Sequence, residues 1–428
     1  MAFLYNSTWG LKIAQPNQTL VGYHKHPQRA AWMIITLAQL TLCLLVLSIF
    51  WGAKWYITNA KDHFPINITS INGTVLAKPI GTEASIAILR GNQLEVAEFT
   101  IVTTDSTSQA VLSFFDDSTI TLYSNTTLII YHSNRPRFNL SPEHDTLEVE
   151  IIRGRIRAAP SDQAGNRDFV IKTPQAEARL TPGSYAVEVN NDQTQVTTRL
   201  GQAAVIAKAT SVTLSEGELS TIGQGKAPTE PSTAEQNLLV NGDFSAELED
   251  TWTQDFFIPE NQTDVISARI QAEQVDGRPV LVFSSQGQDN IHTDAAIEQV
   301  IDKDVRDFQS LRINADVMLN YQSLPGGGFV GSEFPIRIKL TYKDASGNDR
   351  EWYHGFYYEP PPDNYILYNQ VDNASDNISQ NIWYPYESEN LLGLLGENKP
   401  VYVKSIRIYA SGWIYHAMVA DVKLLAQD

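Results

Sequence analysis

The stretch Ala110-Val-Leu-Ser-Phe-Phe-Asp-Asp-Ser-Thr-Ile-Thr-Leu-Tyr123 decides the fold class. Two runs rich in apolar, β-branched and aromatic residues flank Asp116-Asp117-Ser118. Aspartate tolerates the left-handed backbone of a tight turn, so the pattern reads as a β-hairpin. Outward from it, short alternating segments recur about every 8–12 residues, the rhythm of a sandwich or a stacked sheet. Leu147-Glu-Val-Glu-Ile-Ile152 runs up to Gly154, and Arg155-Ile-Arg157 follows. Phe169-Val-Ile-Lys172 is stopped by Pro174. Ala176-Glu-Ala-Arg-Leu180 reaches the turn Pro182-Gly183, and Ser184-Tyr-Ala-Val-Glu-Val189 leaves it. Segments at 194–199, 203–207 and 212–214 complete the series, punctuated by Gly201 and Gly217. Runs of helix-favouring residues are scarce while Thr, Val, Ile and Tyr are plentiful, which is β composition.

In order and spacing these segments resemble a FecR-type domain, the extracytoplasmic part of bacterial transmembrane signal regulators. The family's run of alanine, apolar residues, Asp-Gly-Ser and apolar residues is matched by 110–120, with Asp117 in the glycine position. Its Phe-x-Val-x-Thr-Pro-x-Ala is matched by Phe169-Val-Ile-Lys-Thr-Pro-Gln-Ala176, and its Gly-Thr-x-Phe-x-Val by the Gly183-Ser-Tyr-Ala-Val run. The closing glycine motifs are matched by 196–205 and by Leu214-Ser-Glu-Gly-Glu218. The resemblance covers roughly a third of the chain. It implies an all-β domain over 57–225 outside the cytoplasm and a regulatory role, with a sigma factor or an envelope protein as partner. The segment ahead of the domain departs from the family: sigma-binding members carry a cytoplasmic portion longer than the 29 residues here. Pro174 and Gly183 are read as backbone-shaping residues that bind nothing.

Residues 226–236 are rich in Pro, Ser and Thr and contain no large apolar side chain, so they read as a linker. After them comes Asn237-Leu-Leu-Val-Asn-Gly-Asp-Phe244, with Trp252 eight residues on. This opening, with Val403-Lys-Ser-Ile-Arg-Ile-Tyr-Ala410 and Met418-Val-Ala-Asp-Val-Lys-Leu424 near the end, resembles galactose-binding-like jelly rolls, including CenC-like carbohydrate-binding modules. The resemblance spans 237–428 and implies a β-sandwich. Many such modules hold a structural calcium on oxygen ligands, and Asp243, Glu247 and Asp421 stand at the matching positions. The competing reading is that Asp243 closes a turn and Asp421 caps a strand. Residues 351–386 are dense in aromatics. A flat ring packs on the apolar face of a sugar, so Trp352, Tyr357, Tyr358, Trp383 and Tyr384 are candidates for a glycan site. Against this stands the plainer reading that aromatics fill a sandwich core.

Toward the front, residues 30–53 read AAWMIITLAQLTLCLLVLSIFWGA, 24 residues without a charge. A helix of that length covers about 36 Å at ~1.5 Å per residue, enough to cross a hydrocarbon layer of about 30 Å. Trp32 lies at one end and Trp51, Trp55 and Tyr56 at the other, where amphipathic rings favour the headgroup level. A cleaved signal peptide would have a shorter apolar stretch and small residues behind it, and bulky residues follow here. An amphipathic helix, whether packed on a core by one face or lying on a surface, would show a polar face, and this segment is apolar all round. A transmembrane helix over 30–56 is therefore expected. Residues 1–29 hold Lys12, Lys25 and Arg29 and no acid, which puts this tail on the cytoplasmic side and the acidic bulk outside the cell.

The net charge of −18 excludes nucleic acid as a partner, since such binding rests on cations neutralising phosphates. One cysteine, Cys43, lies inside the apolar stretch, so no intrachain disulfide forms. Phosphate-binding glycine loops, His-Glu-x-x-His and nucleophile elbows are missing, and no enzyme is expected. The sequence thus describes a mainly β, single-pass membrane protein: an envelope regulator that binds a partner or ligand outside the cell or, alternatively, a membrane-tethered glycan-binding protein with the FecR-like domain as scaffold. No cofactor beyond a structural calcium is expected.

Overall fold

The apolar stretch forms one helix, Pro27–Asn59, three residues longer at each end than the expected span. Its side chains are exposed from Ala31 to Tyr56, on every face. Length and composition suffice to cross a membrane. This computed structural model describes residues 27–162, 167–260, 267–286 and 289–428, so Lys12 and Lys25 of the expected tail fall outside it. The chain divides into two units, the first comprising residues 1–62 and 135–144. Within that unit the end of the helix is fastened by the 135–144 loop. Arg137 donates through Nε to Asp62 at 2.7 Å and through Nη1 to the Tyr56 hydroxyl at 3.2 Å. The Phe138 ring meets Tyr56 edge-on at 5.8 Å, and the Ser141 hydroxyl donates to the Thr58 carbonyl at 2.8 Å.

The second unit, residues 63–134 and 145–428, contains both β domains. In the first, two β-ladders lie face to face around an aliphatic core that includes Ile68, Leu112, Ile120, Leu128, Val187 and Val205. One ladder runs Ile86–Ile88, Val75–Pro79, Thr100–Thr103, Thr127–Pro136, Asp145–Ala159, Arg167–Lys172, Glu177–Leu180, Ala203–Ala207, Thr210–Leu214. The other runs Gln93–Val96, Ile66–Asn72, Gln109–Ser113, Thr119–Leu122, Asp145–Ala159, Ser184–Val189, Gln193–Leu200, Glu218–Gly223, Ser232–Thr233. The hairpin read at 110–123 is present: Gln109–Ser113 pairs antiparallel with Thr119–Leu122, and Asp117 adopts φ +65° in its turn.

The long strand Asp145–Ala159 belongs to both ladders. Leu147, Val149 and Ile151 point into the core from its first half, Ile156 and Ala158 from its second. The inward set changes from odd to even numbers because the register slips between Ile151 and Arg153 and the backbone turns at Gly154, φ +93°. Arg155 and Arg157 are thereby turned out of this core. A Cβ at Gly154 would sit 2.5 Å from the Thr126 Cα, where no side chain fits.

The second domain is a jelly-roll sandwich. Its first sheet orders as Ser267–Val275, Arg278–Gln286, Tyr415–Gln427, Ser310–Gln322, Tyr384–Glu387. Its second orders as Thr253–Phe257, Thr293–Asp304, Tyr402–Gly412, Ile336–Lys343, Asp349–Tyr357, Asn373–Asn377. Trp252, Phe283, Leu319, Trp352, Phe356 and Ile408 are among the side chains between them. The expected linker is more ordered than its composition suggests. Ser232–Thr233 pairs with the first domain's strand Glu218–Gly223, Glu235–Asn237 pairs with Tyr415–Gln427 of the jelly roll, and Ala234 is buried between. Backbone pairing needs no apolar side chain, so composition alone does not reveal it.

Where the two domains meet, charge is buried. Arg155 faces Glu188, Asp307 and Asp428 at 3.1, 2.7 and 2.9 Å. Arg157 donates through Nε to Asp307 at 2.7 Å and also reaches Asp428. The Tyr123 hydroxyl donates to Asp307 at 2.9 Å, the Ser124 hydroxyl to Asp304 at 2.7 Å, and Lys303 pairs with Glu188. Burial opposes ionisation of Asp307 and Glu188. The facing Arg155, Arg157 and Lys303 outweigh it, so both carboxyls titrate below their usual range.

Two predictions follow from this arrangement. Gly154→Ala should destabilise the chain by about 1–3 kcal/mol through forced backbone strain, measured by urea unfolding. Asp307→Asn should cost about 1–3 kcal/mol, because it removes one of the three carboxylates that face Arg155 and one of the two that face Arg157. The pH dependence has a defined sign. Depressed folded values mean that the stabilisation is present above the unfolded carboxyl range, about pH 4, and is lost as pH falls through the folded values. The acid limb of a thermal-melting profile should therefore flatten in Asp307→Asn.

Candidate ligand-binding face

Strand Ile336–Lys343 reads Ile-Arg-Ile-Lys-Leu-Thr-Tyr-Lys. Its even-numbered side chains enter the core, so Arg337, Lys339 and Thr341 stand on the outer face of the second sheet. Register places Arg337 opposite Gly355 on one side and Tyr409 on the other, and Lys339 opposite Tyr353 and Arg407. The result is a floor of two tyrosine rings with cations between. The Arg337 guanidinium lies 4.3 Å from the Tyr353 ring centre, and its Nη1 donates to the Tyr409 hydroxyl at 3.2 Å. Lys339 pairs with Glu351, and Arg407 with Asp255 at 2.8 Å. Burial raises the Tyr353 hydroxyl well above its ordinary range, helped by its hydrogen bond to Glu351, so it remains a donor at every physiological pH. Beside it opens a groove of about 560 Å³, lined in part by Thr341, Arg350, Glu351, Tyr353, Asn373 and Lys404.

A loop closes one end of this face. Phe334 is buried over Gly355, where a Cβ would approach its ring to 2.7 Å. Glu333 on the same loop holds His292 at 2.8 Å, and Asp294 holds the opposite ring nitrogen at 3.0 Å. Bonding to Asp294 first, then to Glu333, raises the imidazole to about 10. His292 is therefore a cation at neutral pH, and it ties the loop to the sheet edge.

The five aromatics singled out from sequence do not assemble into a site. Trp352 is 2% exposed and belongs to the core. Tyr357 is buried against Phe334. The Tyr358 hydroxyl accepts from the Gln322 backbone at 3.2 Å, and the Tyr384 hydroxyl donates to Asp376 at 3.3 Å. Trp383 packs with Val280, Val282 and Ala420 in a separate cluster under the Arg278 guanidinium. The plainer reading accounts for Trp352 and Tyr357, and burial removes both from any sugar. The rings that do stand on the outer face of the second sheet, beside its cations, are Tyr353 and Tyr409. The signal that finds them is strand alternation, since each neighbours core residues in sequence.

Of the calcium candidates Asp243, Glu247 and Asp421, the first and last have partners within the protein. Asp243 accepts from the Ser245 hydroxyl at 3.1 Å and so closes a turn. Asp421 is paired with Arg278 at 2.9 Å, a cation where a metal site would need none. Among the described residues no group of three His, Cys, Asp or Glu side chains is placed to hold a metal.

Residues 100–204 match the family described as FecR protein, and the chain carries a FecR-type domain there. No curated protein matches the chain in sequence. Among solved structures it is similar to a candidate anti-sigma factor from Parabacteroides distasonis, at 15% identity and TM-score 0.26, over 35% of this chain and 71% of that one. It is also similar to the family 11 carbohydrate-binding module of a cellulosomal cellulase of Clostridium thermocellum, at 12% identity and TM-score 0.28, over 45% of this chain and 95% of that one.

The His292 tie makes a checkable prediction. Its folded value lies above the unfolded one, so its stabilisation is whole below about pH 6.5 and is lost as pH rises through about 10. The melting temperature should decline across that window in the native chain, and His292→Gln should remove this component of the decline.

Proposed function

We propose that this chain is a single-pass membrane protein whose FecR-like and jelly-roll domains lie outside the cytoplasm, and that the jelly roll binds a saccharide on the outer face of its second sheet. The N-terminal tail is the cytoplasmic end. The observation that carries the saccharide reading is the pairing of Tyr353 and Tyr409 across Arg337 and Lys339, next to an open groove. Rings offer flat apolar area for a pyranose, while the charged and amide groups between them offer hydrogen bonds to hydroxyls. Both tyrosines sit on rigid strands, so little ordering entropy is lost on binding. The ion pair between Lys339 and Glu351 presents donors and acceptors together, which suits hydroxyl groups.

The regulatory reading has its own support in the FecR match at 100–204. It makes the bound saccharide an input, with a sigma factor or an envelope protein as the recipient. Binding, rather than bond cleavage, is the chemistry assigned to the face, where Glu351 and Asp349 are held in ion pairs with Lys339, Lys343 and Lys404.

The test is a glycan array probed with the detergent-solubilised full chain. Tyr353→Ala and Tyr409→Ala should each weaken the bound glycan by about 2 kcal/mol, the scale of a buried aromatic anchor. Trp352→Ala should instead lower the melting temperature. Retained affinity in well-folded Tyr353→Ala and Tyr409→Ala would overturn the assignment of this face.

A further inference from the structure

Among the described residues, Arg155 and Arg157 are buried at the domain junction and Arg337 under the tyrosine face. The first two each meet two or more carboxylates. Arg337, 5% exposed, meets none among the described residues. Its partners are neutral: the Asn373 amide oxygen at 2.7 Å, the Tyr409 hydroxyl at 3.2 Å and the Ser332 carbonyl at 3.5 Å. Aromatic faces fill the rest, Tyr353 at 4.3 Å and Phe334 at 5.4 Å from the guanidinium carbon. Its Nε is buried without an acceptor. A desolvated cation without a counter-ion is costly, and a site that keeps one is suited to an anion.

We propose that Arg337 is the anchor for a carboxylate carried by the ligand, and that the saccharide is an acidic one, a uronate polymer. This rests on the saccharide reading above and narrows it. Tyr353 and Asn373 both line the open groove, and the guanidinium contacts both without lining the groove itself. A carboxylate entering the groove replaces the half-exposed Asn373 amide as the acceptor. The planar fork of arginine matches the two oxygens of a carboxylate. The surrounding charge permits this. Glu351 is paired with Lys339, Asp349 with Lys343 and Lys404, and Asp344 with Arg350. Asp372 is the one lining carboxylate without a cation among the described residues.

The experiment compares three immobilised polysaccharides against the full chain: a polyuronate, the same polymer with its carboxyl groups reduced to hydroxymethyls, and a neutral glucan. The native protein should bind the polyuronate at least tenfold more tightly than its reduced form, with a preference that shrinks as salt rises. Arg337→Gln should bring the two affinities together, and Arg337→Lys should recover only part of the gap. Equal binding of native protein to the polyuronate and its reduced form would overturn the acidic-ligand assignment while leaving the saccharide reading intact. Binding to none of the three would count against both. Arg337 also braces its loop, so the comparison of intact with reduced polymer on native protein carries the decision without any variant.

Discussion

Burial of the Arg155 and Arg157 guanidinium groups against Asp307 and Asp428 is the constraint on which the arrangement of the β domains depends. Two cations out of water are unaffordable singly, so wherever the first domain's long strand presents them, carboxylates have to be waiting. The register slip before Gly154 turns both arginines outward. Had the strand kept its phase, they would point into an aliphatic core with no partner. The second domain answers with a turn after strand Thr293–Asp304, which carries Asp307, and with Asp428 just past strand Tyr415–Gln427. Arg155 also lies 4.4 Å from the Phe308 ring centre, so the same turn supplies apolar cover.

The same rule, applied to the jelly roll's outer face, separates charges that stabilise from one left waiting. Lys339, Arg407 and Arg350 each have a carboxylate and remain partly in water, so their pairs contribute little individually. Arg337 is as dry as Arg155 yet has only dipoles and ring faces around it. Ring quadrupoles attract a cation, but more weakly than a carboxylate does in a dry site. That contrast within one chain, under one net charge, separates a strut from a recognition group more sharply than the composition of the groove does.

Much of the architecture was legible from residues 110–123 outward, because period-two alternation and turn chemistry are local properties. The hairpin at Asp116-Asp117-Ser118, the strand ended before Pro174 and the apolar helix all depend on neighbours within a few positions. The site was less legible for a physical reason. Tyr353 and Tyr409 are 56 positions apart and become neighbours only through strand Ile336–Lys343 between them. Local aromatic density pointed instead at Trp352 and Tyr357, whose clustering in sequence reflects packing around the sheet. Ser232–Thr233 and Glu235–Asn237 were invisible for a related reason: their pairing uses main-chain groups that every residue possesses.

The junction bears on what a bound ligand does to the rest of the chain. A flexible tether would let the jelly roll sample many orientations, and occupancy of its face would leave the FecR-like domain unaffected. Here the connecting residues are strands of both domains, and the interface is a closed set of ion pairs. Separating the domains would expose Arg155, Arg157 and Asp307 to water, which regains their hydration while losing short, charge-assisted hydrogen bonds. A ligand that binds both arrangements equally shifts nothing, however tightly it binds. Strand Thr293–Asp304 links the two regions physically: Asp294 at one end holds His292 beside the face, and Asp304 at the other accepts from Ser124 of the FecR-like domain. Strand Tyr402–Gly412 runs beside it, with Tyr409 on the face and Tyr402 near Tyr123 and Arg155, so a regulatory signal from this face has to act by changing how the far ends of these two paired strands meet the buried ion pairs.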